Sequence, residues 1–331
     1  VIWWTIATGV QGLLGGVVGF GISRFALGLG EGGTFPASAK AVSEWFPAKE
    51  RSMAFGIFNT GSSIGAIIAP PIIAAIIMAF SWRWVFFYGA LLGVVWLILW
   101  YIFYYNGPVN SRFVTIDEKE YIESGQAKTQ ERTLSKEKIK WIDLFKFRSL
   151  NALMIAKFLT DSAWYFFIFW LPTFLVTERG LDIKGVGLNA WIPWVFAACG
   201  SFFGGLASSY LIKKGFSLNR SRKITLGVSA ALFPFSLLIV QSPLAWTIVF
   251  FSMAYMGHQA FSTLVQTLAA DLFPPRMVGS VAGLIGFAGA LGGAIFNSIG
   301  GFLVESTGYT MVFIILGVLH PLSYFIILFM I

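Results

Sequence analysis

Long apolar runs, recurring almost end to end and parted by short polar breaks, constrain this chain more than any other feature. A helix that crosses a bilayer needs about 20 such residues. Breaks at charge, Gly and Pro divide the sequence into ten candidate spans: Val1–Leu13, Val17–Val42, Ser52–Phe80, Trp82–Tyr105, Leu150–Val176, Val186–Ile212, Ile224–Val240, Leu244–Ala270, Val278–Val304 and Tyr309–Ile331. Of the 331 residues, 57% are hydrophobic and 11% charged, whereas about a quarter of a soluble domain is charged. In water such a chain would expose very large apolar patches. The pattern therefore predicts an all-α polytopic membrane protein and excludes a soluble enzyme or a disordered chain. Cys199 is the only cysteine and there are two histidines, so neither an internal disulfide nor a metal centre is expected. No cofactor is expected either.

The formal net charge of +8 is concentrated in alternate loops. The stretch 106–149 holds nine basic and seven acidic residues. Lys213, Lys214, Arg220, Arg222 and Lys223 read as a second, purely basic loop. With Lys49, Arg51 and Arg276, these loops carry 17 of the 23 Lys and Arg residues, against three (Arg83, Arg179, Lys184) in the loops between them. Basic loops remain cytoplasmic, which places both chain ends and residues 106–149 in the cytoplasm. The charge is thus explained by topology, with contact with anionic membrane lipid as a secondary reading, and no nucleic-acid partner is expected.

A shift of 227 positions lays Glu44-Trp45-Phe46-Pro47 on Asp271-Leu272-Phe273-Pro274, Gly56 on Gly283 and Gly65 on Gly292. Two related helical units joined by a charged linker are typical of transporters built from parallel repeats. The expected domains are an N-terminal bundle over 1–105, a cytoplasmic loop over 106–149 and a C-terminal six-helix bundle over 150–331. By the same arithmetic the second unit has two helices, roughly 75 residues, with no counterpart in the first. The chain is therefore expected to hold about ten helices of a twelve-helix protein, its first two lying before Val1. The linker reads as a solvated segment with two helical turns. One is opened by a capping box at Thr115–Glu118, and the other carries Ile139, Ile142 and Phe145 at helical spacing.

Charged and polar residues inside apolar spans are the candidate site. Arg24 and Glu31 are seven apart, nearly two turns, and so share a helix face. Intramembrane charge is costly and marks a cavity or a partner. Arg24, with its planar fork, suits a carboxylate, and Glu31 suits a proton carrier; alternatively the two belong to a structural interhelical ion pair. His258, beside Gln259, is the counterpart of Glu31 under the repeat, so both are expected to face one central cavity; alternatively His258 is a buried histidine satisfied by a neighbouring backbone carbonyl. Trp164 and Tyr165 suit a sugar ring and its hydroxyls, or else packing. Asn59 and Gln266 are further polar groups within spans. Lys157 and Asp161 read as a local i, i+4 pair near the cytoplasmic edge, and His320 as structural. Gly28, Gly30 and Gly33 fit G-x-G-x-x-G but lie inside an apolar helix and not after a strand. Like Gly15/Gly19, Gly61/Gly65 and Gly289/Gly293, they suit close helix packing. No H-E-x-x-H, C-x-x-C, G-x-S-x-G or Walker loop is present, so no enzymatic activity is expected.

The stretch Arg24-x6-Glu31-x4-Pro36, followed by Glu44-Trp45-Phe46-Pro47-Ala48-Lys49-Glu50-Arg51, resembles the anion:cation symporter branch of the major facilitator superfamily. Lys157–Asp161, Trp164, Phe169-Trp170-Leu171-Pro172 and His258-Gln259 through Asp271-Leu272-Phe273-Pro274 resemble its hexuronate transporters. The resemblance implies a major facilitator fold of two six-helix pseudo-repeats in a bacterial inner membrane, working as a monomer. It implies uptake of a sugar-acid anion with a proton by alternating access, Arg24 holding the carboxylate and Glu31 the proton. Hexuronates are the expected substrates, with aldonates or aldarates second and a non-transporting anion sensor as the alternative of another class. Leu264 replaces an asparagine that related carriers often use on substrate. Ser208 and Ser209 stand where the family's loop often has an acid.

Overall fold

The protein is described here by a computed structural model covering residues 1–105, 107–125 and 141–331. Among these residues it is built from helices, without strands. The helices are α1 (Ile2–Gln11), α2 (Gly16–Glu31), α3 (Thr34–Trp45), α4 (Arg51–Ala79), α5 (Trp82–Phe103), α6 (Ile116–Ser124) and α7 (Trp141–Leu144). After them come α8 (Arg148–Thr177), α9 (Ile183–Asn189), α10 (Ile192–Lys213), α11 (Leu218–Leu232), α12 (Leu244–Leu272) and α13 (Pro275–Met330).

Several expected spans are interrupted. The second breaks at Gly32-Gly33 into α2 and α3, where two glycines in succession withdraw helix propensity. The sixth is α9 followed by α10. The seventh is α11 continued by a 3-10 segment, Phe233–Leu238, that starts beside Pro234, a residue without an N–H to donate. By contrast, the last two expected spans are kept: α13 is two helical arms that part at Gly308, whose non-helical φ of 75° suits glycine alone.

The second basic loop needs correcting. Ser217 Oγ accepts from Arg220 N at 3.3 Å and starts α11 there, so Arg220, Arg222 and Lys223 are helical. The first expected turn of the linker is α6, capped by Thr115 Oγ1 accepting from Glu118 N at 3.3 Å. It is docked rather than free. Ala48 N donates to Gly125 O at 3.0 Å, Tyr121 donates to the Glu50 carboxylate, and Lys49 Nζ lies 4.8 Å from the Tyr121 ring centre. The Glu50 bond holds the Tyr121 phenol above its usual pKa. Ile139 lies outside the described residues.

Enclosure is uneven. α12 is the most deeply buried helix, whereas α5 buries no residue. Around α12, Phe167, Phe174, Phe251 and Phe313 pack edge to face or tilted at 5.3–5.9 Å, a favoured aromatic geometry. Hydroxyls within this helix are satisfied locally, as Ser252 Oγ on Ile248 O at 2.7 Å and Thr267 Oγ1 on Thr263 O at 2.8 Å. Glycines set the closest approaches, and not always the expected ones. Gly289 meets Asp161 and Lys157, and Gly293 meets the Tyr165 ring, but Gly15, Gly61 and Gly65 face open space. A side chain at Gly200 would strike the Met256 carbonyl of α12. Gly200→Leu is therefore expected to destabilise the fold by about 1–3 kcal/mol, seen as a lower melting temperature of detergent-solubilised protein. Gly61→Ala is expected to leave it unchanged or slightly raised.

Candidate functional site

Near Asp271, α4 meets α10, α11 and α12. Asp271, at the end of α12, is the only acidic residue between Asp182 and Glu305. It receives two guanidinium groups from opposite parts of the chain. Arg51 Nη1 lies 3.3 Å from its Oδ1 and Arg222 Nε 3.0 Å from its Oδ2. Arg51 also donates to Ala270 O (2.8 Å) and Ser43 O (3.2 Å). Arg222 donates to Ser52 Oγ (2.6 Å), Ser208 Oγ (2.8 Å) and Ala48 O (2.9 Å). All three charged side chains are buried. Ionic groups persist in such a place only when paired and hydrogen-bonded, and here the pairing straddles the two parts of the chain.

Backbone contact reinforces the junction. Ser52 Oγ donates to Gly205 O at 2.9 Å and lies 2.9 Å from Ser209 Oγ. Gly56 and Gly205 let α4 and α10 touch backbone to backbone, as small residues do between membrane helices. Deeper in, Asn59 Nδ2 donates to Thr263 Oγ1 (3.0 Å) and Gln266 Oε1 (3.2 Å) on α12. Asn59 is thus occupied in this state by the facing helix. An apolar cavity of about 490 Å³ flanks the junction, lined by residues such as Phe46, Ile57, Leu206 and Tyr210 and by none of the predicted site residues.

A second polar cluster lies near the middles of α8 and α12 and beside the arm of α13 that follows Gly308. Lys157 and Asp161 pair at 2.9 Å, as their spacing predicts; both are largely buried, and Lys157 Nζ donates to Ser262 Oγ at 2.7 Å. His258 Nε2 stands 3.7 Å from Asp161 Oδ1, and its Nδ1 is hydrogen-bonded to His320 Nε2 at 3.0 Å. His320, expected to be merely structural, is therefore a partner of His258. Trp164 stacks on His258 with centroids 4.4 Å apart and meets Tyr255 and Trp194 edge to face. Tyr165, one residue on, faces Gly293 of α13. The two neighbouring aromatics thus point to different helices, because successive helical residues diverge by about 100°.

Arg24 and Glu31 are both exposed on α2. Neither has an ion-pair or hydrogen-bond partner among the described residues, so the interhelical ion-pair alternative finds no counterpart there. Glu31 is the last residue of α2, at the break before α3. Gln259 is half-buried beside His258. The repeat's pairing of Glu31 with His258 does not bring them to one surface here: Glu31 is open, whereas His258 is sealed inside the bundle. The Arg51–Asp271–Arg222 junction went unassigned in the sequence, where both arginines counted as loop charge. The available signal was the isolation of Asp271 in a basic region.

A model of the Major Facilitator Superfamily matches residues 1–297 and, in a second match, 215–331. The hexuronate transporter of Escherichia coli (strain K12) is 33% identical over 324 residues, covering 97% of this chain and 74% of that one. The galacturonate transporter of Dickeya chrysanthemi is 37% identical over 229 residues, covering 68% of this chain and 66% of its own. Among solved structures, the E. coli fucose:proton symporter matches with a TM-score of 0.72 at 14% identity, over 100% of this chain and 81% of its own. A proton:xylose symporter matches with a TM-score of 0.71 at 16% identity, over 98% and 76%. Family match, identity and fold agree: this chain is a multi-pass membrane protein of the major facilitator superfamily, a transporter and not an enzyme.

Proposed function

We propose that this protein imports sugar-acid anions, hexuronates first, across the bacterial inner membrane together with a proton, by alternating access. In this reading residues 1–105 supply helices three to six of the first bundle, 106–149 the cytoplasmic linker and 150–331 the second bundle. The observation that carries it is the Arg51–Asp271–Arg222 junction: a buried closure between two bundles, made of polar groups that water can replace when it opens. In this reading the basic loops are cytoplasmic, and the junction closes the path on that side.

Arg24 takes the substrate carboxylate and Glu31 the coupled proton. Asn59, Trp164, Tyr165, His258 and Gln259 line or border the path of the sugar, with Asn59 released from Thr263 and Gln266 as the bundles part. The substrate class is supported by the names of the relatives at 33% and 37% identity, and the proton by the unpaired carboxylate on α2. The test is uptake of labelled glucuronate and galacturonate by the full-length protein in liposomes under an inward proton gradient. Accumulation that collapses with the gradient is expected; no uptake of any sugar acid overturns the reading. Orientation is tested separately. Single cysteines at 117 or 120 in a Cys199→Ser background are expected to resist membrane-impermeant maleimide in intact cells and to react in inverted vesicles.

A further inference from the structure

The cluster on α8, α12 and α13 holds more ionisable chemistry than a packing role needs. Among the described residues, the titratable groups gathered around Asp161 are Lys157 and Tyr165 on its own helix, His258 on α12 and His320 on α13. His258 and His320 share one hydrogen bond between Nδ1 and Nε2 at 3.0 Å, and His320 Nδ1 is buried without a partner. Two tautomer arrangements satisfy that bond. In one, His320 Nε2–H donates to His258 Nδ1, and His258 Nε2–H points toward Asp161. In the other, His258 Nδ1–H donates to His320 Nε2, leaving a bare nitrogen opposite the carboxylate and an N–H on His320 with no acceptor. While Asp161 is ionised the first is favoured, because it puts a proton between ring and carboxylate and leaves His320 only a bare lone pair.

We propose that His320, His258 and Asp161 form a proton wire, with Asp161 as a proton-binding site in the second bundle whose occupancy releases Lys157. A proton added at His320 Nδ1 is matched by transfer of the Nε2 proton of His320 to His258 Nδ1. The Nε2 proton of His258 then passes to Asp161. The cluster gains one proton, both imidazoles end neutral in the second arrangement, and Asp161 becomes a carboxylic acid that can donate to His258 Nε2. The 3.7 Å gap between His258 and Asp161 requires the carboxylate to turn toward the ring for the last step. Stacking of His258 on Trp164 and of His320 on Phe233, with centroids 3.7 Å apart for the latter, keeps the rings aligned. Protonation removes the counter-charge of Lys157, whose ammonium is then held by Ser262 alone. A lone ammonium at this depth is costly, so the proton is retained most readily when an anion lies beside Lys157. That deepens the proton coupling proposed above and rests on it for its physiological meaning, but not for its test.

The test is nitrogen NMR of full-length protein labelled with [15N]histidine in nanodiscs, from pH 5 to 9. Resonances are assigned by their loss in His258→Gln and His320→Gln. Both imidazoles are expected to be Nε2–H at high pH and to switch together to Nδ1–H as pH falls. Asp161→Asn, a neutral isostere, is expected to abolish the switch, and Asp161→Glu to restore it, which guards against simple misfolding. Lys157→Gln removes the cation that competes with the proton, and is expected to lower the proton concentration needed for the switch roughly tenfold or more. Tautomers that stay constant over the range, a switch that survives Asp161→Asn, or separate titration of each ring to imidazolium would each overturn the proposal. A switch without sugar-acid uptake in liposomes leaves the wire and removes the transport reading. Uptake without a switch does the reverse.

Discussion

Glu31→Gln is expected to abolish uphill accumulation of glucuronate while retaining its binding and its exchange across the membrane. Glutamine fixes the neutral form with almost no change of shape, so the residue can no longer alternate between charged and uncharged states. If substrate on Arg24 changes which state of Glu31 is favoured, the coupling is reciprocal, and deleting one side of it removes the other. Arg24→Ala is expected to fail earlier, at binding. Truncating one partner of a charge-assisted contact costs about 2–5 kcal/mol, so affinity is expected to fall roughly a hundredfold. Arg24→Lys is expected to recover little of it, because a point charge does not reproduce the two-pronged fork. Equilibrium binding and proton-driven uptake, measured for each variant in the full-length protein, separate these outcomes. Concentration of substrate by Glu31→Gln would assign coupling elsewhere.

Asp271→Asn is expected to unlatch the closure proposed above between the two bundles. Arg51 and Arg222 would remain buried with no acid between them, and breaking a buried pair in this way costs about 3–5 kcal/mol. The protein can avoid that cost by opening the junction and hydrating both guanidinium groups. The reporter is a disulfide between cysteines at positions 52 and 209, whose serine oxygens lie 2.9 Å apart. In a Cys199→Ser background the pair is expected to cross-link readily under mild oxidation and to arrest transport until reduced. Adding Asp271→Asn is expected to slow cross-linking at least tenfold. Equal rates in the two backgrounds would show that Asp271 does not hold the bundles together.

The membrane helices were legible because a bilayer imposes a length and a polarity on each of them independently. Their interruptions were not. Whether Gly32-Gly33 ends a helix depends on what the next segment packs against. Arg222 shows the same limit from the side of charge. By composition it belongs to a basic loop, yet a Ser217 cap that starts its helix and the carboxylate of Asp271 draw it into a buried junction.

The candidate site divides along the same line. The i, i+4 relation of Lys157 and Asp161 and the shared face of Arg24 and Glu31 follow from helical periodicity, which acts within a few residues. The meeting of His258 with His320, 62 positions apart, and of Arg51 with Asp271, 220 apart, carries no local signature. Such pairs are fixed by how whole helices rotate and slide against one another. In a bilayer, where tails and side chains are equally apolar, that choice rests on close packing of small residues and on buried polar groups finding partners. The sequence by itself determined the class of protein, its apolar segments and which polar residues lie within them. Only the tertiary structure decided which of those residues face one another, because each pairing is the outcome of packing many helices at once.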